Sequence, residues 1–158
     1  DQSMKLTLQS TFSDQYSAGG ESALIDGVSG KNEYRTGDWQ GYLDKDIIAK
    51  IEFITPRLIN TVSIGFLEDI KSWIFYPREI YLEVSFDGVN YEKAQVITNT
   101  EIIENERKAN FQIFNFNLKQ ENQVVALRIK AINFGECPEW HLGAGGATWL
   151  FSDEIIIK

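Results

Sequence analysis

Short segments rich in β-branched and aromatic residues, punctuated by turn residues and almost free of sustained helical period, run the length of this chain. That pattern predicts an all-β fold. It places strands over Lys5 to Gln9, Asp46 to Thr55, Leu58 to Leu67, Arg78 to Ser85, Tyr91 to Thr98, Asn110 to Leu118, Gln123 to Asn133 and Ala147 to Ile157. Alternation is clearest where Ile80, Leu82 and Val84 are interleaved with Tyr81, Glu83 and Ser85, which is how an antiparallel strand with one buried and one wet face reads. Phe86 to Asn90 join two of these strands, and Asp87-Gly88 supplies the positive φ angles that a tight hairpin needs. Residues Asn99 to Lys108 are polar and charged and predict a solvent loop or a short helical turn. With no internal repeat, low-complexity tract or Pro- and Ser-rich linker, the economical architecture is one antiparallel β-sandwich or jelly roll over residues 1–158.

A chain of 158 residues buries most of its apolar surface without covalent staples. Cys137 is its one cysteine, which excludes an intrachain disulfide, a CxxC redox pair and a four-thiolate metal site. The net charge of −8 has the wrong sign for neutralising phosphates, so nucleic acid and anionic membrane surfaces are disfavoured partners. No apolar run approaches the length of a membrane span, and Asp1-Gln2-Ser3-Met4 opens the chain without a basic n-region and apolar h-region. The expectation is a segment of a longer secreted protein.

The chain's only histidine lies in Pro138-Glu139-Trp140-His141-Leu142-Gly143-Ala144-Gly145-Gly146-Ala147-Thr148-Trp149, which also holds two of the four tryptophans. Aromatic faces, an imidazole and glycines that free the backbone describe a binding loop, and the run leads into the apolar terminal strand at Ile155-Ile156-Ile157. Catalytic signals are weak by contrast. There is no G-x-S-x-G elbow, P-loop, dinucleotide fingerprint or H-E-x-x-H helix, and one histidine leaves little for triad chemistry. Glu68 with Asp69, or Glu136 with Glu139, would have to face each other across a substrate to act as a glycosidase pair, and adjacency in sequence does not supply that.

Four motifs, in order along nearly the whole chain, resemble the discoidin, or coagulation factor 5/8 type C, family. Ser85-Phe86-Asp87-Gly88-Val89-Asn90-Tyr91 is similar to its S-x-D-G-x-x-[W/Y] hairpin, and Ala23-Leu24-Ile25-Asp26-Gly27 to its early A-x-x-D-G turn. Ala126-Leu127-Arg128-Ile129 resembles its R-Y-[IL]-R-[IL] strand, and Asp153-Glu154-Ile155 its closing E-[IL] strand. The segments Ser22 to Tyr42 and Phe66 to Pro77, with the Pro138–Gly146 run, look more narrowly like the version appended to bacterial β-N-acetylhexosaminidases and chitobiase-like enzymes, grouped with the family 32 carbohydrate-binding modules.

This resemblance implies a galactose-binding-like jelly roll in which the early turn and the last strand close around a structural calcium ion. Hard cations take several oxygens from carboxylates and from carbonyls in irregular turns. Position by position, the resemblance makes Asp26 and Glu154 side-chain ligands and Ala23, Val28 and Asp153 carbonyl ligands. The remaining ligand falls in Lys31-Asn32-Glu33-Tyr34-Arg35, with Glu33 ahead of Asn32. Alternatively, Asp26 makes only an Asx-turn and Glu154 is a solvated strand residue.

For the sugar that such a module implies, the needs are a flat apolar face under the ring C–H groups and a few fixed hydrogen-bonding groups. By residue type the candidates are Trp73, the pair Trp140 and His141, and the group Arg35 and Trp39, all in segments that read as loops. Trp73 either contacts ligand or caps the core, and His141 either binds ligand or holds the glycine loop by bonds to backbone carbonyls. Arg35 either donates two parallel bonds to ring hydroxyls or pairs with a carboxylate such as Glu139. Trp149 is expected in the core, and Phe111, Phe114 and Phe116 read as strand residues. The function expected is a non-catalytic module that holds an attached, extracytoplasmic glycoside hydrolase near N-acetylhexosamine- or galactose-containing glycans. A structural domain packed on the catalytic domain of the same polypeptide is the alternative.

Overall fold

The computed structural model describes residues 2–99 and 108–158. Among these described residues nine strands form: β1 (Met4–Leu8), β2 (Gln40–Leu43), β3 (Ile47–Arg57), β4 (Thr61–Glu68), β5 (Glu79–Ser85), β6 (Glu92–Thr98), β7 (Asn110–Asn117), β8 (Val124–Ala131) and β9 (Trp149–Ile157). They make two antiparallel sheets, one in the order β1-β3-β8-β5-β6 and the other β2-β9-β4-β7. All eight expected strands are present. The expected loop or turn at Asn99 to Lys108 falls mostly on positions outside the described residues.

The strand that sequence reading missed is β2, because Gln40-Gly41-Tyr42-Leu43 is short, contains glycine and shows no clean alternation. It exists because it pairs with β9, Gln40 against Ser152 through Leu43 against Trp149. Leu58 also falls outside its expected strand; β4 begins at Thr61, and Leu58 is exposed in the connection.

The apolar faces of the two sheets meet in one core: Ile47, Ala49 and Ile51 of β3, Ile80, Leu82 and Val84 of β5, Leu127 and Ile129 of β8 on one side, Val62, Ile64, Phe66, Phe114, Phe116 and Leu150 on the other. Full burial of a side chain of the larger kind contributes ~1.5–3 kcal/mol, so this interior is the main source of stability. The Asp87 turn is defined locally. Its Oδ1 accepts from the backbone N–H of Val89 at 2.8 Å and of Asn90 at 2.7 Å, and Gly88 takes φ 81°.

Two features adapt this frame at one end. The first is a bulge where β9 runs along β4: Ile155 lies opposite Ile64, but Ser152 lies opposite Phe66. The extra residue on β9 falls at Asp153–Glu154 and re-aims both acids. The second is the long β1–β2 connection, which packs three-residue 3₁₀ turns and Trp39 against the outer face of the four-stranded sheet, in a cluster with Leu67, Ile74 and Phe151. Trp149, expected in the main core, is half-buried and belongs to this outer cluster instead, since its neighbour Leu150 takes the inward position.

Candidate functional site

The loops after β4, after β8 and between β1 and β2 gather at the same end of the sandwich. Asn133, at the end of β8, fixes that end: its Nδ2 donates to the carbonyls of Lys45 at 3.0 Å and Thr148 at 3.2 Å, and its Oδ1 accepts from Thr148 Oγ1 at 2.6 Å and Gly135 N–H at 2.9 Å. This buried asparagine carried no sequence signal, because nothing in the flanking residues shows which distant carbonyls it meets.

Trp73 follows the 3₁₀ turn Ile70–Ser72 and sits at φ 66°, a left-handed conformation uncommon for a bulky residue. Its ring lies against the glycine loop. A Cβ on Gly143 would fall 2.3 Å from Trp73 Cζ2, and one on Gly146 would fall 2.5 Å from Cζ3. Those glycines therefore serve to seat the indole, which keeps 39% of its surface exposed. Trp140 is 36% exposed on the same loop, and Leu142, two residues further on, is fully exposed.

His141 is buried beneath these rings, 6.0 Å from Trp73 and 6.1 Å from Trp140 between ring centroids. Its Nε2 lies 2.6 Å from the Ile70 carbonyl, and its Nδ1 accepts from the Gly143 N–H at 2.8 Å. A carbonyl only accepts, so the hydrogen sits on Nε2. Both ring nitrogens are thus spent on backbone, and His141 positions the two loops rather than meeting a ligand.

The third candidate group divides. Trp39 is 1% exposed and its Nε1–H donates to the Lys31 carbonyl at 2.8 Å, so it is a packing residue and not a platform. It does lie on a loop, as expected, but that loop packs it against Leu67, Ile74 and Phe151. Arg35 is on the surface, and it pairs with Glu33 rather than with Glu139: Nε and Nη2 reach the two carboxylate oxygens at 2.8 and 2.9 Å. Those bonds hold the Glu33 carboxyl down at about 2. Glu139 is exposed.

The expected cation ligands are brought together in part. Glu154 is 9% exposed, its Oε2 is buried without a hydrogen-bond partner among the described residues, and its carboxyl interacts with Asp26 and Asp153. Burial, then the negative charge of Asp26 and Asp153, pushes Glu154 up to about 7 against a bond from the Gly27 N–H. Burial likewise raises Asp153, whose Oδ2 accepts from Gly30 N–H at 2.8 Å and Oδ1 from Glu154 N–H at 2.7 Å. Asp26 Oδ1 also accepts from the Val28 N–H at 2.8 Å, the expected Asx-turn, whereas Glu154 is buried and not a solvated strand residue. Ala23 lies in the adjoining 3₁₀ turn, its carbonyl accepting from Asp26 N–H at 3.4 Å. Glu33 is corrected: the Arg35 fork occupies both its oxygens, and it is not among the acids that meet Glu154. Among the described residues, no group of three His, Cys, Asp or Glu side chains is arranged to hold a metal ion unaided. A hard cation here would need the backbone carbonyls of the turn as well. The orphaned Glu154 oxygen beside Asp26 fits such an ion.

The fold is a two-sheet β-sandwich matching the galactose-binding-like fold of family 32 carbohydrate-binding modules and F5/8 type C domains. No family model matches the sequence, and no curated protein matches it. Solved structures match the fold over nearly the whole chain. The family 32 module of Clostridium perfringens NanJ, in complex with galactose, has a TM-score of 0.59 at 13% identity over 99% of this chain and 93% of its own. The C. perfringens module CpGH89CBM32-5, in complex with GalNAc-β-1,3-galactose, has a TM-score of 0.57 at 17% identity over 99% and 95%. An F5/8 type C domain from Bacteroides fragilis has a TM-score of 0.57 at 14% identity over 99% and 91%.

Proposed function

We propose that this chain is a non-catalytic carbohydrate-binding module whose loop end holds glycans containing galactose or N-acetylhexosamine. The observation that carries the reading is the seating of Trp73: a half-exposed indole, seated close against the backbone of Gly143 and Gly146 and edge-to-face with His141, is a rigid apolar face that loses little conformational freedom when a sugar ring stacks on it. Trp140 extends that face. The sugars bound by the two C. perfringens modules support the ligand class, and the fold supports a targeting role on an extracytoplasmic glycoside hydrolase of the chitobiase or β-N-acetylhexosaminidase kind. Calcium held by Asp26 and Glu154, with carbonyls of Ala23, Val28 and Asp153, would fix the early turn against β9.

The test is a glycan array with the isolated chain, wild type beside Trp73→Ala and Gly143→Ala. Selective binding to galactose- or N-acetylhexosamine-terminated glycans is expected. It should fall at least tenfold in both variants, because the first removes the indole and the second unseats it. An array silent for the folded wild type would sink this reading. It would favour the second one, in which the exposed Leu142, Trp73 and Trp140 pack on the catalytic domain of the same polypeptide.

A further inference from the structure

Beside the Trp73 face lies an open groove of about 500 Å³ between residues 15–19 and 34–39. Its walls are the rings of Tyr16 and Tyr34, edge to face with centroids 5.8 Å apart, and buried Trp39 contributes to its lining. The groove adjoins the Trp73 face through Trp149. Tyr16 packs edge-on to the Trp149 ring at 5.2 Å, and the Trp149 N–H donates to the Trp73 carbonyl at 2.8 Å.

The backbone wall is held in a conformation that chains seldom choose. Ala18, Gly19 and Gly20 take φ 53°, 104° and 122° in succession. Gln40 imposes this: its Nε2 donates to the carbonyls of Ser17 at 3.1 Å and Gly20 at 2.9 Å, while its Oε1 accepts from Tyr42 O–H at 2.7 Å. Both Gln40 and Tyr42 are fully buried. Strain maintained by a buried polar chain is characteristic of surfaces preorganised for a ligand.

The charge of the groove is cancelled. Arg35 spends Nε and Nη2 on Glu33, which leaves Nη1 to donate and keeps the guanidinium 5.3 Å from the Tyr34 ring centroid. Across the loop end, Asp69 attracts Arg35 and Lys71 attracts Glu33. Among the described residues, the one charged side chain that lines the groove, Arg35, is therefore neutralised by its own carboxylate partner, and the chain as a whole carries −8. Paired donors and acceptors between aromatic rings suit vicinal hydroxyls on an uncharged pyranose. A carboxylate- or sulfate-bearing ring would find no net positive charge there.

From this we infer that the groove is a second sugar subsite, next to Trp73, which takes a neutral pyranose, so that the module reads glycans of two or more units. The inference rests on the carbohydrate-binding reading above. It is tested on an array and by calorimetry with galactose, GalNAc and GlcNAc, their neutral di- and trisaccharides, and the same oligosaccharides carrying a uronate or sulfate. Neutral disaccharides should bind the wild type at least tenfold more tightly than the parent monosaccharides, with the acidic counterparts weaker than the neutral ones. Tyr34→Ala and the solvent-exposed Arg35→Ala should each reduce disaccharide affinity to the monosaccharide level while leaving monosaccharide binding in place. Trp73→Ala should weaken both. Equal mono- and disaccharide affinity, or disaccharide binding untouched by a folded Arg35→Ala variant, would overturn the subsite and leave the module reading standing. Absence of any glycan binding by the wild type would overturn both.

Discussion

Glu83 and Glu154 are both strand carboxylates largely withdrawn from solvent, one on each sheet, and they titrate in opposite directions. On the outer face of the five-stranded sheet, Glu83 of β5 lies directly across from Arg128 of β8. Burial pushes its carboxyl up, but bonds from Arg128 and from Lys130, at 3.0 Å, more than offset that, and it titrates below the usual range. At the bulge in the four-stranded sheet, Glu154 meets, among the described residues, acids and one backbone N–H, and it is driven up to about 7. Register supplies Glu83 with its cations. Among the described residues the bulge brings Glu154 none, which leaves a carboxylate that an added cation would satisfy.

The contrast breaks most completely at Gly65. A Cβ there would fall 2.1 Å from Asp153 Oδ1, with Phe111 Cε2 3.0 Å away. Overpacking of this kind costs about 1–3 kcal/mol, so Gly65→Ala should lower the urea midpoint at the upper end of that range. An unchanged midpoint would show that the bulge yields freely.

Calcium sharpens the comparison. Added to chelator-stripped protein at a hundred times its dissociation constant, it should stabilise by ~2.7 kcal/mol. Glu154→Gln should abolish the response and Glu83→Gln should keep it. A thermal midpoint indifferent to calcium in the wild type would remove the ion from this site.

The two acids also predict opposite pH slopes. Glu154 has a folded value above its ordinary 4.5, so the metal-free fold holds a proton that the unfolded chain has released. Its contribution is full below about 4.5 and is lost as pH rises through about 7. Glu83 has a folded value below 4.5, so its contribution is present above 4.5 and lost as pH falls. Denaturation from pH 4 to 8 with chelator should show the decline in the wild type and a flatter curve in Glu154→Gln. A wild-type curve that is flat across this window would contradict the raised value.

Smallest is the effect of Glu83→Gln at pH 7. Partly exposed ion pairs contribute about 0.5–1 kcal/mol, and 0.5 M salt should erase most of it. A loss of several kcal/mol would mean that Glu83 is as isolated from water as Glu154.

Much of the scaffold was legible in the residues. Alternation at Ile80, Leu82 and Val84 identified a core face, and Asp87-Gly88 announced its hairpin, because both effects act over a few residues and need no distant partner. The candidate site was legible only by type. Trp73 and Trp140 were found as loop aromatics. Trp39 was misassigned because its burial depends on packing against Leu67 and Phe151, and Glu33 because its partner is two residues away rather than at the bulge. Tyr16, Tyr34 and Gln40 were missed, since a groove wall made from one loop and riveted by a glutamine on another strand leaves no periodic trace.

By itself, then, the sequence determined an all-β chain with its strands, its tight hairpin, its acidic balance and a short inventory of aromatic and acidic candidates. These follow from local conformational preference and from the period of the side chains. Tertiary structure decided which of those candidates face solvent, which acid receives a cation and which is left wanting one. It also decided that a glycine loop should become the bed of an indole. Burial and electrostatic partnership are properties of residues far apart in the chain, and they arise only when two sheets have closed on each other.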